Sequence, residues 1–125
     1  MTLLDRLLQH DAWTTRELLN RSAGLSEQQL DQEFDIGRRT LRATFAHIIR
    51  NMEAWTDLMT GAPVRDPDGE HIPDLIARLD RAASDLTDLA HEIERRGAWD
   101  ERWIDTLDDP PTSKTAPGVR AAAVA

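Results

Sequence analysis

A chain of 125 residues has room for one core and not for two independent ones, and 40% hydrophobic with 30% charged residues describes a folded globular domain. A net charge of -8, with arginines interleaved among more numerous acids, leaves no basic face for a phosphate backbone, so nucleic acid is set aside as a partner. With no cysteine, disulfides, thiolate nucleophiles and zinc–thiolate sites are excluded, and any metal must be held by histidines and carboxylates.

The first dozen residues contain acids and a histidine and no apolar run of signal-peptide or membrane length, so the chain is expected in the cytoplasm with no membrane partner. From about Thr2 to Ser22, Leu3, Leu4, Leu7, Leu8, Leu18 and Leu19 recur at helical spacing and predict an amphipathic helix. Ala23-Gly24 ends it. Ser26 and Gln29 then have capping-box spacing, which predicts a short helical turn to about Gln32. Phe34 to Arg39 reads as a linker, and Thr40 as the N-cap of a second long helix.

On that helix Leu41, Phe45, Ile48, Met52, Trp55 and Met59 alternate in steps of four and three, the seam of a helix packed in a bundle, until Gly61-Ala62-Pro63 stops it. Val64 to Glu70 has turn composition and predicts a polar loop. A third long helix is predicted from Pro73 to Gly97, with Leu75, Ile76, Leu79, Leu86, Leu89 and Ile93 on one face. After Gly97 the pattern weakens. Trp99, Trp103, Ile104 and Leu107 are expected in a short helix or an extended cover over one bundle end, and residues 108–125 as a disordered or atypical tail behind a domain spanning 1–107.

In chain order, LQHDAWTTRELL from Leu8, LSEQQLDQEFDIG from Leu25 and TLRATFAHIIRNMEAWTDLM from Thr40 resemble the DinB/YfiT-like family of metalloenzymes over roughly residues 3–107. The resemblance implies an all-α fold, an antiparallel up-down four-helix bundle. It also implies a divalent metal, nickel or zinc, held by three histidines, and a metal-dependent thiol transferase or isomerase activity on a small thiol or other small molecule. By motif position His47 matches the ligand of the second long helix. The two ligands of the last helix have no counterpart, because where relatives continue into a histidine-bearing helix this chain reads SKTAPGVRAAAVA, as a truncation or a shifted reading frame would leave it. The fourth long helix is therefore expected to be missing or incomplete, or supplied by a partner chain.

The histidines are His10, His47, His71 and His91. On a helical wheel His47 falls about 120° and His10 about 105° from the apolar seams of their helices, the flank position of a boundary residue. His47 is the candidate metal ligand, His10 the candidate second one. His71, at a loop–helix junction, and His91, at the basic end of the third helix, are expected to be solvated, as are Glu53 and Asp57, one turn apart. Trp13 falls off the leucine stripe and suggests contact with a second subunit, in keeping with the homodimers that the resemblance implies. No nucleophile triad, phosphate-binding glycine loop or dinucleotide fingerprint is present. The rival to a metal-dependent protein with impaired activity is a non-catalytic helical interaction or dimerisation module without metal.

Overall fold

The computed structural model describes residues 2–115, in which the chain runs through α1 (Leu3–Ser22), α2 (Glu27–Leu30), α3 (Leu41–Thr60) and α4 (Ile72–Arg96) into a hairpin of β1 (Trp103–Asp105) and β2 (Thr112–Lys114). The helices start where side chains satisfy their first amides. Thr2 and Asp5 form a reciprocal capping box on α1, Ser26 and Gln29 do the same on α2, and Thr40 accepts from the Ala43 amide at 3.0 Å on α3. Gly61 (φ 75°) and Gly97 (φ 64°) end α3 and α4 in the left-handed region, where a Cβ is disfavoured. None of the described helices is long and apolar enough to cross a membrane.

Helix directions follow from which side chains meet. Asp5 pairs with His91 and Arg16 with Asp80, so α1 and α4 run antiparallel. Glu53 pairs with Arg78, while Asp57 and Asp85 share Arg65, so residue numbers rise together and α3 and α4 run parallel. The chain is all-α as its periodicity predicts, but the expected up-down alternation fails at this one pair. The physical reason is the connection. Residues 61–71, fully extended, can reach about 36 Å, whereas the 20 residues of α3 are about 30 Å long. The polar segment therefore runs back along the bundle as a strap instead of forming a tight turn.

Guanidinium groups hold the strap by its carbonyls. Arg50 donates to Arg65 O, Arg78 Nη1 to Gly69 O at 2.7 Å, and Arg42 Nη1 to Glu70 O at 2.7 Å. Each satisfies a backbone acceptor that no ladder reaches.

Both α1 and α3 pack on α4. Leu19, Leu30, Phe45, Ile49, Ile72, Leu75 and Leu79 form the core at the end of the bundle where α1 finishes and α3 and α4 begin. Burying each large side chain is worth roughly 1.5–3 kcal/mol, so this end anchors the fold. The expected seam of α3 needs a correction. Phe45 is buried, but Leu41, Ile48, Met52, Trp55 and Met59 are only half-buried. Glu53 and Asp57, expected on a solvated face, are 3% and 6% exposed. That side of α3 is turned toward α4 and the strap, where the carboxylates find arginines, Arg78 of α4 at 2.8 Å from Glu53 and Arg65 of the strap at 2.7 Å from Asp57.

The hairpin crosses the domain boundary expected at residue 107. Its strands pair antiparallel, with Ile104 opposite Ser113. Asp105, 1% exposed, joins the hairpin to α3 by accepting from Trp55 Nε1 at 3.0 Å and Lys114 Nζ at 2.6 Å. Trp103 and Ile104 lie on a strand and Leu107 in the turn that follows it, extended and not helical, with Ile104 and Leu107 each 55% exposed. The rest of the expected tail, 116–125, and with it the expected truncation, lies outside the described residues.

Candidate functional site

With α1 and α3 both resting on α4, a cleft of about 360 Å³ opens between them, floored by α4. Leu4 and Leu8 form one wall, Ile48, Met52, Trp55 and Met59 the other, and Leu86, Ala90 and Ile93 the floor, with Trp99 at one end. The six-residue seam of α3 is legible here after all, since most of it faces the cleft. Polar residues punctuate the lining: Asp11, Thr14 and Thr15 from α1, Asn51 and Thr56 from α3, and Thr87 from α4. The hydroxyls of Thr14 and Thr56 are buried without a hydrogen-bond partner among the described residues, so these walls carry unmet polar capacity.

His47 stands beside this cleft, on α3 one turn before Asn51. Its Nε2 lies 3.1 Å from Arg38 Nη2 and 3.2 Å from Asn51 Nδ2. Both neighbours are N–H donors, so Nε2 acts as acceptor and the ring is neutral. Burial, reinforced by the Arg38 charge, pushes the imidazole below its ordinary range.

A neutral imidazole is the form a metal requires, but here the nitrogen that accepts from Arg38 and Asn51 has its lone pair engaged, with a guanidinium opposing a second cation. His10 is exposed and stacks on Trp13, ring centroids 6.3 Å apart. His71 is exposed and 3.8 Å from Glu27, and His91 is engaged with Asp5, whose carboxyl that hydrogen bond lowers to about 2. Among the described residues no three His, Asp or Glu side chains gather in a group able to hold a metal ion. The donor set therefore does not fit the nickel or zinc centre that the resemblance implies.

Arg38 and Asn51 are the partners of His47 that sequence reasoning passed over. Asn51 was within reach of it, lying four residues after His47 on a predicted helix. Arg38 was not, because only the loop bearing Gly37 (φ 50°) and Arg39 (φ 75°) brings it to the ring. Asp11 could also have been found, since it falls on the stripe Leu4, Leu8, Asp11, Thr15 at helical spacing.

The family model of the DinB superfamily matches residues 10–124. No curated protein and no solved structure matches the chain.

Proposed function

For a chain that belongs to the DinB superfamily, we propose a non-catalytic binding role: an interaction module whose working surface is the cleft between α1 and α3. The observation that carries this reading is the engagement of His47 Nε2 by Arg38 and Asn51 beside an open apolar cleft. The residues available at His47 suit a fixed, neutral hydrogen-bond acceptor better than a metal donor. The cleft offers apolar surface of the kind that binding sites use.

A second surface supports self-association. Leu3, Leu7 and Leu18 on one face of α1 are 73%, 41% and 51% exposed, and a second copy of the chain would cover such a face; Trp13, 57% exposed, lies off that face.

The rival reading places nickel or zinc at His47 with His10 as a second ligand, serving thiol transfer or isomerisation. Elemental mass spectrometry on protein purified without chelator or affinity tag, for the native chain and His47→Ala, separates the two. We expect no stoichiometric metal in either protein, and sedimentation of both as the same dimer. One nickel or zinc per chain, lost on His47→Ala, would overturn the binding-module reading.

A further inference from the structure

The two unpartnered hydroxyls of the cleft stand at one level of the bundle. Arg16 of α1 pairs with Asp80 and Glu53 of α3 with Arg78, and these ion pairs fix how both walls sit along α4. Because α1 runs against α4, Thr14 comes level with Ala82; because α3 runs with α4, Thr56 comes level with Arg81. Thr56 is 3% exposed and Thr14 half-buried, both line the cleft, and neither hydroxyl meets a partner among the described residues. A buried hydroxyl without a partner is unfavourable, so two of them at one level on opposite walls mark a place for a polar group between them. The floor there carries Ala83, whose short side chain leaves that space unfilled.

Away from this level the lining is mainly apolar. From Thr14 back to Leu4 is about 15 Å along α1, and over that length Leu4, Leu8, Leu86, Ile93 and Trp99 border the space. Trp55 and Trp99 offer it their rings only, since their indole N–H groups donate to Asp105 at 3.0 Å and Glu94 at 2.7 Å. Asp11, the one charged residue of the lining among the described residues, already has an interaction of its own. A charged guest would therefore leave water without gaining a free counter-ion, a loss that a neutral guest does not meet.

We propose that the cleft takes a neutral amphiphile: one apolar chain ending in an uncharged hydroxyl, with the head between Thr14 and Thr56 and the chain running toward Leu4, Ile93 and Trp99. A hydroxyl serves both walls at once, accepting from one threonine and donating to the other. The volume of about 360 Å³ lies in the range of small-molecule sites, roughly 300–1,000 Å³. This rests on the reading of the cleft as the working surface, and it names the class of guest.

The test uses three probes that share an eight-carbon chain and differ in charge at pH 7: octan-1-ol, octanoate and octylammonium. Each is titrated into the full-length protein by calorimetry, with tryptophan fluorescence as a second signal. Octan-1-ol is expected to bind at one saturable site at least tenfold more tightly than either charged probe. Thr14→Val and Thr56→Val, checked for native circular dichroism, keep the side-chain shape and remove the hydroxyl, so each should weaken octan-1-ol about fivefold, as loss of one hydrogen bond would. Thr56→Ser, which keeps the hydroxyl, should bind it as the native chain does.

A charged probe that binds as tightly as octan-1-ol, an octan-1-ol affinity unchanged in either valine variant, or no saturable binding of octan-1-ol each overturns the proposal. None of these results bears on metal content, so failure here leaves the non-catalytic reading to its own experiment.

Discussion

At the residue scale, Glu53 and Arg78 form a buried ion pair between α3 and α4. Their side chains are 5% and 2% exposed, and Arg78 gives Glu53 two hydrogen bonds, from Nε at 3.2 Å and Nη2 at 2.8 Å. Removing one partner strands a buried charge, so Glu53→Ala should cost about 3–5 kcal/mol in urea unfolding. Replacing both, as Glu53→Leu with Arg78→Met, should cost far less, the remainder being about 1 kcal/mol for the lost bond to the Gly69 carbonyl. A double variant as unstable as the single one would mean that the pair itself, and not the stranded charge, holds the helices.

His47 gives a second prediction, with a definite sign. Its folded form resists protonation, so below the ordinary value of 6.5 the unfolded chain takes up a proton that the folded chain refuses. Stability from this residue is intact above pH 6.5 and falls as the pH drops below it. Between pH 7.5 and 5.5 the urea midpoint of the native chain should therefore fall more than that of His47→Gln, and parallel curves would refute the assignment.

At the element scale, the extents of the helices were legible because the signals that end a helix are local. Thr40, the Ser26–Gln29 spacing, Gly61 and Gly97 each satisfy or break backbone hydrogen bonds within a few residues, and the structure places helix ends at all of them. Direction was not legible. Whether residues 61–71 turn back at once or run the length of α3 depends on Arg42, Arg50 and Arg78 meeting carbonyls up to 28 positions away, and no periodicity carries that information. The same limit applies to the face of α3. A stripe of Phe45, Ile48, Met52, Trp55 and Met59 looks like a core seam whether or not a helix lies opposite it. Only the buried pairing of Glu53 with Arg78 shows that the side toward α4 is the neighbouring one. The hairpin escaped for a further reason: strands of three residues are too short to show alternation, and their anchors on Trp55 are long-range, the Asp105 carboxylate and the Lys114 ammonium over the ring. For the site, His47 was legible as a position and its chemistry was not, because Arg38 reaches it from a loop.

At the scale of the whole molecule, the arrangement of three long helices around an open cleft makes neighbouring alanines of α4 behave in opposite ways. Ala82 is fully buried, whereas Ala83, next along the helix, is half-buried and lines the cleft. At position 82 added methylenes meet packed atoms, so Ala82→Leu should destabilise the protein by about 1–3 kcal/mol. At position 83 they extend into the cleft and are themselves withdrawn from water, so Ala83→Leu should stabilise by roughly 0.5–1 kcal/mol. Urea unfolding of the two variants reads this contrast directly. Opposite signs mean that the cleft is open in solution and available to a guest, in which case Ala83→Leu should also weaken the binding of any small molecule held there. Equal destabilisation means that something already fills the space above α4, since a leucine at position 83 would then meet the same packed surroundings as one at position 82.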